Sequence, residues 1–183
     1  MPYGRGSGTV ATDRMIRPIL KLGDRGLQSA AAPVTVFDDA LDTLLRDMAE
    51  TMYSVPGIGL AAPQIGVPLR VFVIDLSVGK TTGELIELVN PASVLYEGMQ
   101  LEEEGCLSLP GFNATVVRPS HAIVKGFDRH GHEKTVEGDG LLARALQHEM
   151  DHLDGTLYVD RLRGIKREVI VRKVQKLKRS GRW

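Results

Sequence analysis

Apolar residues recur at helical spacing in three segments of the chain. In the first, they follow an aspartate at position 38 or 39 that can cap a helix: Phe37, Leu41, Leu44, Leu45, Met48 and Met52. The second segment begins after Asp139, another candidate cap, runs to about Asp154 and stops at Gly155. The third carries a narrower stripe, formed by Leu162, Ile165, Val169, Val174 and Leu177. The spacing predicts an N-terminal helix, an interior helix and a C-terminal helix.

Between the first two predicted helices, aliphatic and β-branched residues are concentrated in short stretches bounded by Gly, Pro and Asn. These predicted strands are residues 69–76, 84–96, 114–117 and 121–127. A hairpin turn over residues 128–131 leads into a further short strand near Thr135 and Val136. Because the order is helix, several strands, helix, helix, without regular β-α-β alternation, the pattern favours the α+β class.

The length of 183 residues favours one compact domain, which we expect to span residues 15–160. Residues 161–183 would form the C-terminal helix of the same domain. Residues 1–14 contain three glycines and no periodic apolar positions, so we expect a disordered extension, with Met15 as the true start. With no apolar run near the roughly 20 residues of a membrane span and a single cysteine, the sequence indicates a reducing compartment and no membrane segment.

The zero net charge of the chain hides an asymmetry between its body and its tail. Residues 161–183 carry ten basic side chains and one acidic, a balance of +9, whereas residues 1–160 carry 13 basic and 22 acidic ones. Two interpretations remain open. The tail is either a solvated amphipathic helix packed by its apolar stripe, or a surface for a polyanionic partner.

The sequence His148-Glu149-Met150-Asp151-His152, an H-E-x-x-H motif, lies within the second predicted helix. Histidines four residues apart lie on one helix face, about 6 Å apart along the axis, so both imidazoles can reach one metal ion. Glu149 lies beside the same site and can accept a proton from water. Because the flanking residues are apolar, we expect a largely buried helix, and buried histidines need partners. The motif therefore predicts a metal site rather than two solvated histidines.

The residues after His152 do not supply the usual third ligand of zinc proteases. Tyr158 stands where the metzincin pattern requires histidine, and Glu168, the only downstream glutamate, lies in the basic tail. The remaining candidate is Cys106, in an extended segment between two turn signals. Taken alone, a free cysteine is typically a small buried hydrophobe. Together with the histidine pair it gives a Cys-His-His set whose fourth tetrahedral position stays open for water, as in a catalytic centre.

Residues 57–66 combine Gly, Ala and Pro with one amide side chain, Gln64. Small residues let a backbone approach a ligand closely, and the Gln64 amide can donate to an oxyanion. The composition is equally typical of a tight loop between two elements, so both interpretations remain open at this point.

Three separated motifs together resemble the peptide deformylases. They are G-x-G-L-A-A-P-Q at residues 57–64, E-G-C-L-S at residues 104–108 and Q-H-E-M-D-H at residues 147–152. The resemblance extends from about residue 19 to about residue 158. It implies a metal-dependent hydrolase that removes the formyl group from N-terminal formylmethionine of nascent chains and releases formate. It also implies an α+β fold in which mostly antiparallel strands surround the helix carrying H-E-x-x-H.

The resemblance also implies roles for individual residues. The implied metal ligands are Cys106, His148 and His152. Glu149 would act as general base and then as acid, while Gln64 and the Leu107 N–H would form an oxyanion hole. Gly59 and Gly105 would lie along the substrate backbone. The residue chemistry agrees, because a cation lowers the pKa of a bound water toward about 7 and Glu149 can take its proton before attack on the formyl carbon.

The methionine side chain of such a substrate needs an apolar pocket. Ile58, Leu141 and Ala145 are reasonable walls, since the last two share a helix face at i,i+4. Arg144 lies beside them, where several bacterial members of the family have an apolar residue. Those members also have an arginine shortly after the cysteine motif, where this chain reads Gly111-Phe112-Asn113. Arg144 is either part of the pocket or directed to solvent, and Phe112 is either part of its rim or ordinary core.

Imidazole and thiolate ligands suit Zn²⁺ and Fe²⁺ alike. The resemblance favours one Fe²⁺ per chain in the cell, with Zn²⁺, Ni²⁺ or Co²⁺ able to substitute. It further implies formyl-Met nascent polypeptides as partners, the ribosome as a possible partner of residues 161–183, a monomer or weak dimer, and the bacterial cytoplasm.

The alternatives to a deformylase are a metallopeptidase and a ribosome- or RNA-binding module with a structural metal. Glu149 and Gln64 argue against the latter, because a structural site needs neither a base nor an oxyanion donor.

Overall fold

A computed structural model of the protein describes residues 15–183; the extension expected over residues 1–14 lies outside them. The described part contains three α-helices: α1 (Asp39–Ser54), α2 (Gly140–Leu153) and α3 (Ile165–Arg179). Its seven strands are β1 (Gly59–Ala61), β2 (Val71–Ile74), β3 (Ile86–Glu97), β4 (Gln100–Gly105), β5 (Asn113–Arg118), β6 (His121–Phe127) and β7 (Glu133–Asp139). Every pairing between these strands is antiparallel, which confirms the predicted α+β class.

The strands form a five-stranded sheet in the order β1-β2-β3-β6-β7 and a separate ribbon of β4 and β5. In β2 all four residues are buried, because helices cover both faces of the large sheet. Val71 and Val73 pack in the cluster that contains the apolar face of α1, whereas Phe72 and Ile74 pack with α2. Helix α2, which carries the H-E-x-x-H motif, is therefore a buried central element, as predicted.

The helix caps are partly as the sequence predicts. Asp38 caps α1, since its Oδ1 accepts hydrogen bonds from the N–H groups of Ala40 and Leu41 at 3.0 and 3.1 Å. Asp139 occupies the N-cap position of α2, but its side chain makes no cap bond. Its Oδ1 lies 2.8 Å from Nδ1 of His121 on the neighbouring strand, so the cross-strand partner has replaced the helix amides.

Two strands and part of one helix differ from the sequence prediction. Strands β1 and β4 were not predicted, because β1 has only three residues and β4 contains three consecutive glutamates. Helix α3 begins at Ile165, and its buried residues are Ile170 and Val174. The predicted stripe is therefore wrong at Ile165 and Val169, which are 73% and 41% exposed. Within residues 15–183, no helix is long and apolar enough to cross a membrane.

Candidate active site

Helix α2 and the turn after β4 bring the three predicted metal ligands together. One ligand atom from each of Cys106, His148 and His152 lies within 4.8 Å of the others. The two imidazole rings project from one face of α2 with centroids 5.0 Å apart, and Cys106 Sγ lies 3.3 Å from His152 Nε2. The i,i+4 spacing fixes the histidine pair, and the β4–β5 ribbon carries the thiol to it.

A buried ion network lies behind these ligands. Nδ1 of His148 lies 3.2 Å from Glu104 Oε2, so a proton on Nδ1 leaves Nε2 free as a ligand atom. The fully buried Arg118 donates from Nη2 to the same oxygen at 2.8 Å and from Nη1 to Asp151 at 2.9 Å. Arg161 also donates to both carboxylate oxygens of Asp151. Burial raises the pKa of Glu104, but the bonds from His148 and Arg118 outweigh it and lower the pKa to about 2.

The donor set fits a divalent cation. Burial lowers the pKa of His152 well below 6.5, and a neutral imidazole is the form that binds metals. Burial alone would lower the pKa of His148, but the interactions with Cys106 and Glu104 outweigh burial and raise the pKa well above 6.5. The surroundings of the His148 imidazole therefore favour a positive charge. One thiolate and two imidazoles are three ligands of a tetrahedral site with one open position.

Glu149 lies between the two histidines and faces the same space. It is 3% exposed, and its Oε2 is one of the few buried side-chain atoms in the described residues without a hydrogen-bond partner. Burial raises its pKa to about 7. Gly59 of β1 leaves room for this carboxylate, because a Cβ on Gly59 would lie 2.2 Å from Glu149 Oε1. A buried carboxylate without a partner and with this pKa is suited to proton transfer.

The amide of Gln64 is held in one orientation. Its Oε1 accepts a hydrogen bond from the Ala61 N–H at 2.8 Å, so the amide hydrogens point away from β1. Its Nε2 lies 3.2 Å from Ser108 Oγ and 3.6 Å from Cys106 Sγ. Gln64 occurs in a one-turn 3₁₀ helix (Ala62–Ile65) directly after β1, so the segment is both a tight connection and part of the site.

Two of the predicted ligands, Cys106 and His148, border a cavity of about 530 Å³ together with Glu149 and Gln64. The third predicted ligand, His152, is buried beside them and does not line the cavity. All five predicted substrate contacts line it: Ile58, Gly59, Gly105, Leu141 and Ala145. Leu107 lines it as well, and Leu141 lies at the rim with half of its surface exposed. Further lining residues lie outside the predicted substrate contacts and belong to no motif: Ile19, Val55, Glu103, Pro110 and Gly111.

Arg144 and Phe112 have different surroundings. Arg144 lines the cavity and is 6% exposed, so it does not point to solvent. Its guanidinium donates to Gln100 Oε1 at 2.6 Å and to the Glu103 carbonyl at 3.1 Å, which ties α2 to β4. Phe112 packs in the apolar cluster around α3 instead. The other three histidines, His121, His130 and His132, belong to none of the three motifs and lie on β6 and the β6–β7 turn, away from the cavity lining.

Known proteins resemble this chain in sequence and in structure. The family model described as polypeptide deformylase matches residues 16–168. A peptide deformylase of Acidobacterium capsulatum is 48% identical over 169 residues, which cover 92% of this chain and 99% of that protein. A crystal structure of a peptide deformylase from Legionella pneumophila has a TM-score of 0.85 and 50% identity, covering 91% of this chain and 98% of that one. The Ehrlichia chaffeensis enzyme in complex with actinonin has a TM-score of 0.82 and 34% identity, covering 90% and 98%.

Proposed function

The chain belongs to the peptide deformylase family and removes N-formyl groups from nascent peptides, and we propose that Cys106, His148 and His152 hold the metal ion of this reaction. The observation that carries the proposal is the convergence of these three donors beside the buried, unpartnered carboxylate of Glu149. We further propose Fe²⁺ as the ion in the cell, with Zn²⁺, Ni²⁺ or Co²⁺ as substitutes, because the ligand set suits each of them. The bound ion supplies Lewis-acid polarisation and lowers the pKa of water.

Glu149 is the proposed general base. Burial favours its protonated form, while a neighbouring cation favours its ionised form, so the carboxyl can take up and return a proton near neutral pH. In the reaction it removes a proton from the attacking water and later gives it to the leaving amine. Gly59 keeps space open for this carboxylate.

Gln64 and the Leu107 backbone N–H are the proposed oxyanion donors. The bond from Ala61 to Gln64 Oε1 fixes the amide before the substrate arrives, which avoids a reorganisation cost during the reaction. Leu107 follows the thiol ligand directly, so its N–H lies beside the metal centre.

The cavity supports a formylmethionyl substrate. We propose that its apolar walls, Ile58, Leu141 and Ala145, contact the methionine side chain. Gly59, the first residue of β1, and Gly105, the last residue of β4, are the proposed contacts of the substrate backbone. Arg144 adds the aliphatic part of its side chain to the wall, while its guanidinium is bound to β4.

We assign residues 15–160 to the catalytic domain, residues 161–183 to its basic C-terminal segment, which contains α3, and the protein to the bacterial cytoplasm as a monomer or weak dimer. The basic side chains of α3 are exposed, which supports ribosome binding through RNA phosphates. If α3 binds RNA phosphates in this way, cosedimentation of the protein with ribosomes should fall steeply between about 50 and 200 mM salt. The double variant Lys173→Glu/Lys176→Glu should abolish it at low salt, and unchanged cosedimentation would contradict the assignment.

A formate-release assay tests the function. Formyl-Met-Ala-Ser and unformylated Met-Ala-Ser are incubated separately with the anaerobic, metal-loaded protein. We expect formate from the first peptide and no cleavage of either peptide bond. Cleavage of Met-Ala would indicate a metallopeptidase, and no reaction with either peptide would contradict a catalytic site. We also expect actinonin to inhibit formate release.

A further inference from the structure

The extended segment of residues 19–22, here called the strap, connects the two loops that carry the proposed oxyanion donors. The Leu20 N–H donates to the Gln64 carbonyl at 2.7 Å, and the Leu22 N–H donates to the Ser108 carbonyl at 2.9 Å. Gln64 and Ser108 are also joined by their side chains, with Nε2 and Oγ 3.2 Å apart. The strap and the two loops therefore form a closed ring of hydrogen bonds around one end of the cavity, which Ile19 also lines.

Trp183, the single tryptophan in the sequence, contacts the strap. Its indole Nε1–H donates to the Leu22 carbonyl at 3.2 Å, and Lys21 Nζ lies 5.6 Å from the ring centroid. The edge of the indole also meets Phe112, with ring centroids 6.1 Å apart. Trp183 thus contacts both the strap and the loop that follows Cys106.

The path of the chain from α3 to Trp183 is fixed as well. Gly181 has φ +67°, its N–H donates to Lys178, and the Arg182 N–H donates to Leu177 at 2.9 Å. These two bonds form a Schellman motif, which sets the direction in which the chain leaves the helix.

We propose that Trp183 is a positioning residue for deformylation, acting through the strap on the oxyanion donors Gln64 and Leu107. The inference rests on the proposed function, which assigns those donors. Oxyanion stabilisation requires donors that are already in place, and a displacement of about 1 Å can cost on the order of 100-fold in rate. Trp183 does not line the cavity, so its contribution concerns the transition state rather than substrate binding.

Kinetics of metal-loaded variants test the proposal, with rates normalised to metal content. Trp183→Ala should lower kcat by about tenfold and leave KM within about twofold, because oxyanion contacts form in the transition state. Trp183→Phe keeps an aromatic ring against Phe112 but lacks the indole N–H, so its kcat should be intermediate. Arg182→Ala is the control, since this neighbouring side chain is exposed and, within residues 15–183, its hydrogen bond is to the nearby Ser180, so its kcat should equal that of the wild type.

Amide hydrogen exchange gives a second readout that needs no turnover. In Trp183→Ala, the amides of Leu20 and Leu22 should exchange faster by about tenfold, while those of α1 keep their wild-type rates. The proposal is overturned if Trp183→Ala matches Arg182→Ala in kcat, or if exchange rises equally in the strap and in α1. If wild-type protein releases no formate, the proposed function fails, whereas the exchange rates still decide whether Trp183 holds the strap.

Discussion

The two sides of the metal centre differ in how their polar groups are satisfied. On the rear side, formed by the buried ion network, Glu104 and Asp151 each accept several hydrogen bonds, mainly from Arg118 and Arg161, although Glu104 also borders the cavity. On the cavity side, the buried Oε2 of Glu149 has no partner among the described residues. Satisfied buried ions hold a structure in place, whereas an unsatisfied buried carboxylate is costly and is retained where it reacts. The difference agrees with the proposed roles, in which the rear side positions the ligands and the cavity side keeps a carboxylate free for proton transfer.

Replacing Glu149 should give the largest kinetic effect. Glu149→Ala removes the proposed proton carrier, so kcat for formyl-Met-Ala-Ser should fall by at least about 10³-fold, near the upper range for a general base. Metal content, measured by atomic emission, should stay at one ion per chain. Full activity in the purified variant would refute the role of Glu149.

Gln64→Ala removes one oxyanion donor from the cavity side. Loss of such a donor typically lowers kcat by about 10²- to 10³-fold. KM should change little, because the contact strengthens in the transition state. A variant with raised KM and normal kcat would place Gln64 in substrate binding instead.

On the rear side, Arg118→Met should act on metal retention rather than on chemistry. It removes the fully buried cation that Glu104 and Asp151 share, and loss of such a supporting contact typically weakens metal affinity by about 10- to 100-fold. The free energy of unfolding should fall by about 3–5 kcal/mol, the usual cost of breaking a buried ion pair. Chelator competition and urea unfolding measure the two effects.

The matched control for this change is Arg161→Ala. Arg161 binds the same aspartate, but its side chain is 45% exposed, so solvent screens the ion pair and the loss should be about 1 kcal/mol or less. Equal losses in the two variants would contradict the distinction between a buried and a peripheral arginine.

Leu141→Ala should have the smallest effect on the cavity side. Half of this side chain is exposed, so its contact with a methionine side chain is worth about 1 kcal/mol, or roughly fivefold in KM. Because the contact is the same in the ground state and the transition state, kcat should not change. A large loss of kcat would show that Leu141 positions the reacting group.

The cavity side of the centre was more predictable from sequence than the rear side. His148, Glu149 and His152 follow from helical spacing, and Cys106 follows from the lack of another third ligand. Arg118 was not predicted as a partner of Glu104, because even the register of β4 and β5 places Arg118 opposite Gln100, and the ion pair forms only when the buried side chains pack together.

Contacts between distant parts of the chain could not be predicted from the sequence either. The bond from Trp183 to Leu22 joins residues 161 positions apart, and neither residue belongs to a motif. Likewise, the cap predicted for Asp139 gave way to His121, since strand pairing places that imidazole directly opposite. Local spacing predicts which groups can react, whereas tertiary packing decides what holds them.

In the proposed metal centre, one thiolate and two imidazoles bind a single divalent cation and leave one position open. X-ray absorption spectroscopy of the zinc-loaded protein measures this ligand set. We expect one sulfur at about 2.3 Å, two imidazole nitrogens at about 2.0–2.1 Å and one further light atom that exchanges with added formate. A spectrum without sulfur, or with four protein ligands that formate does not perturb, would contradict it.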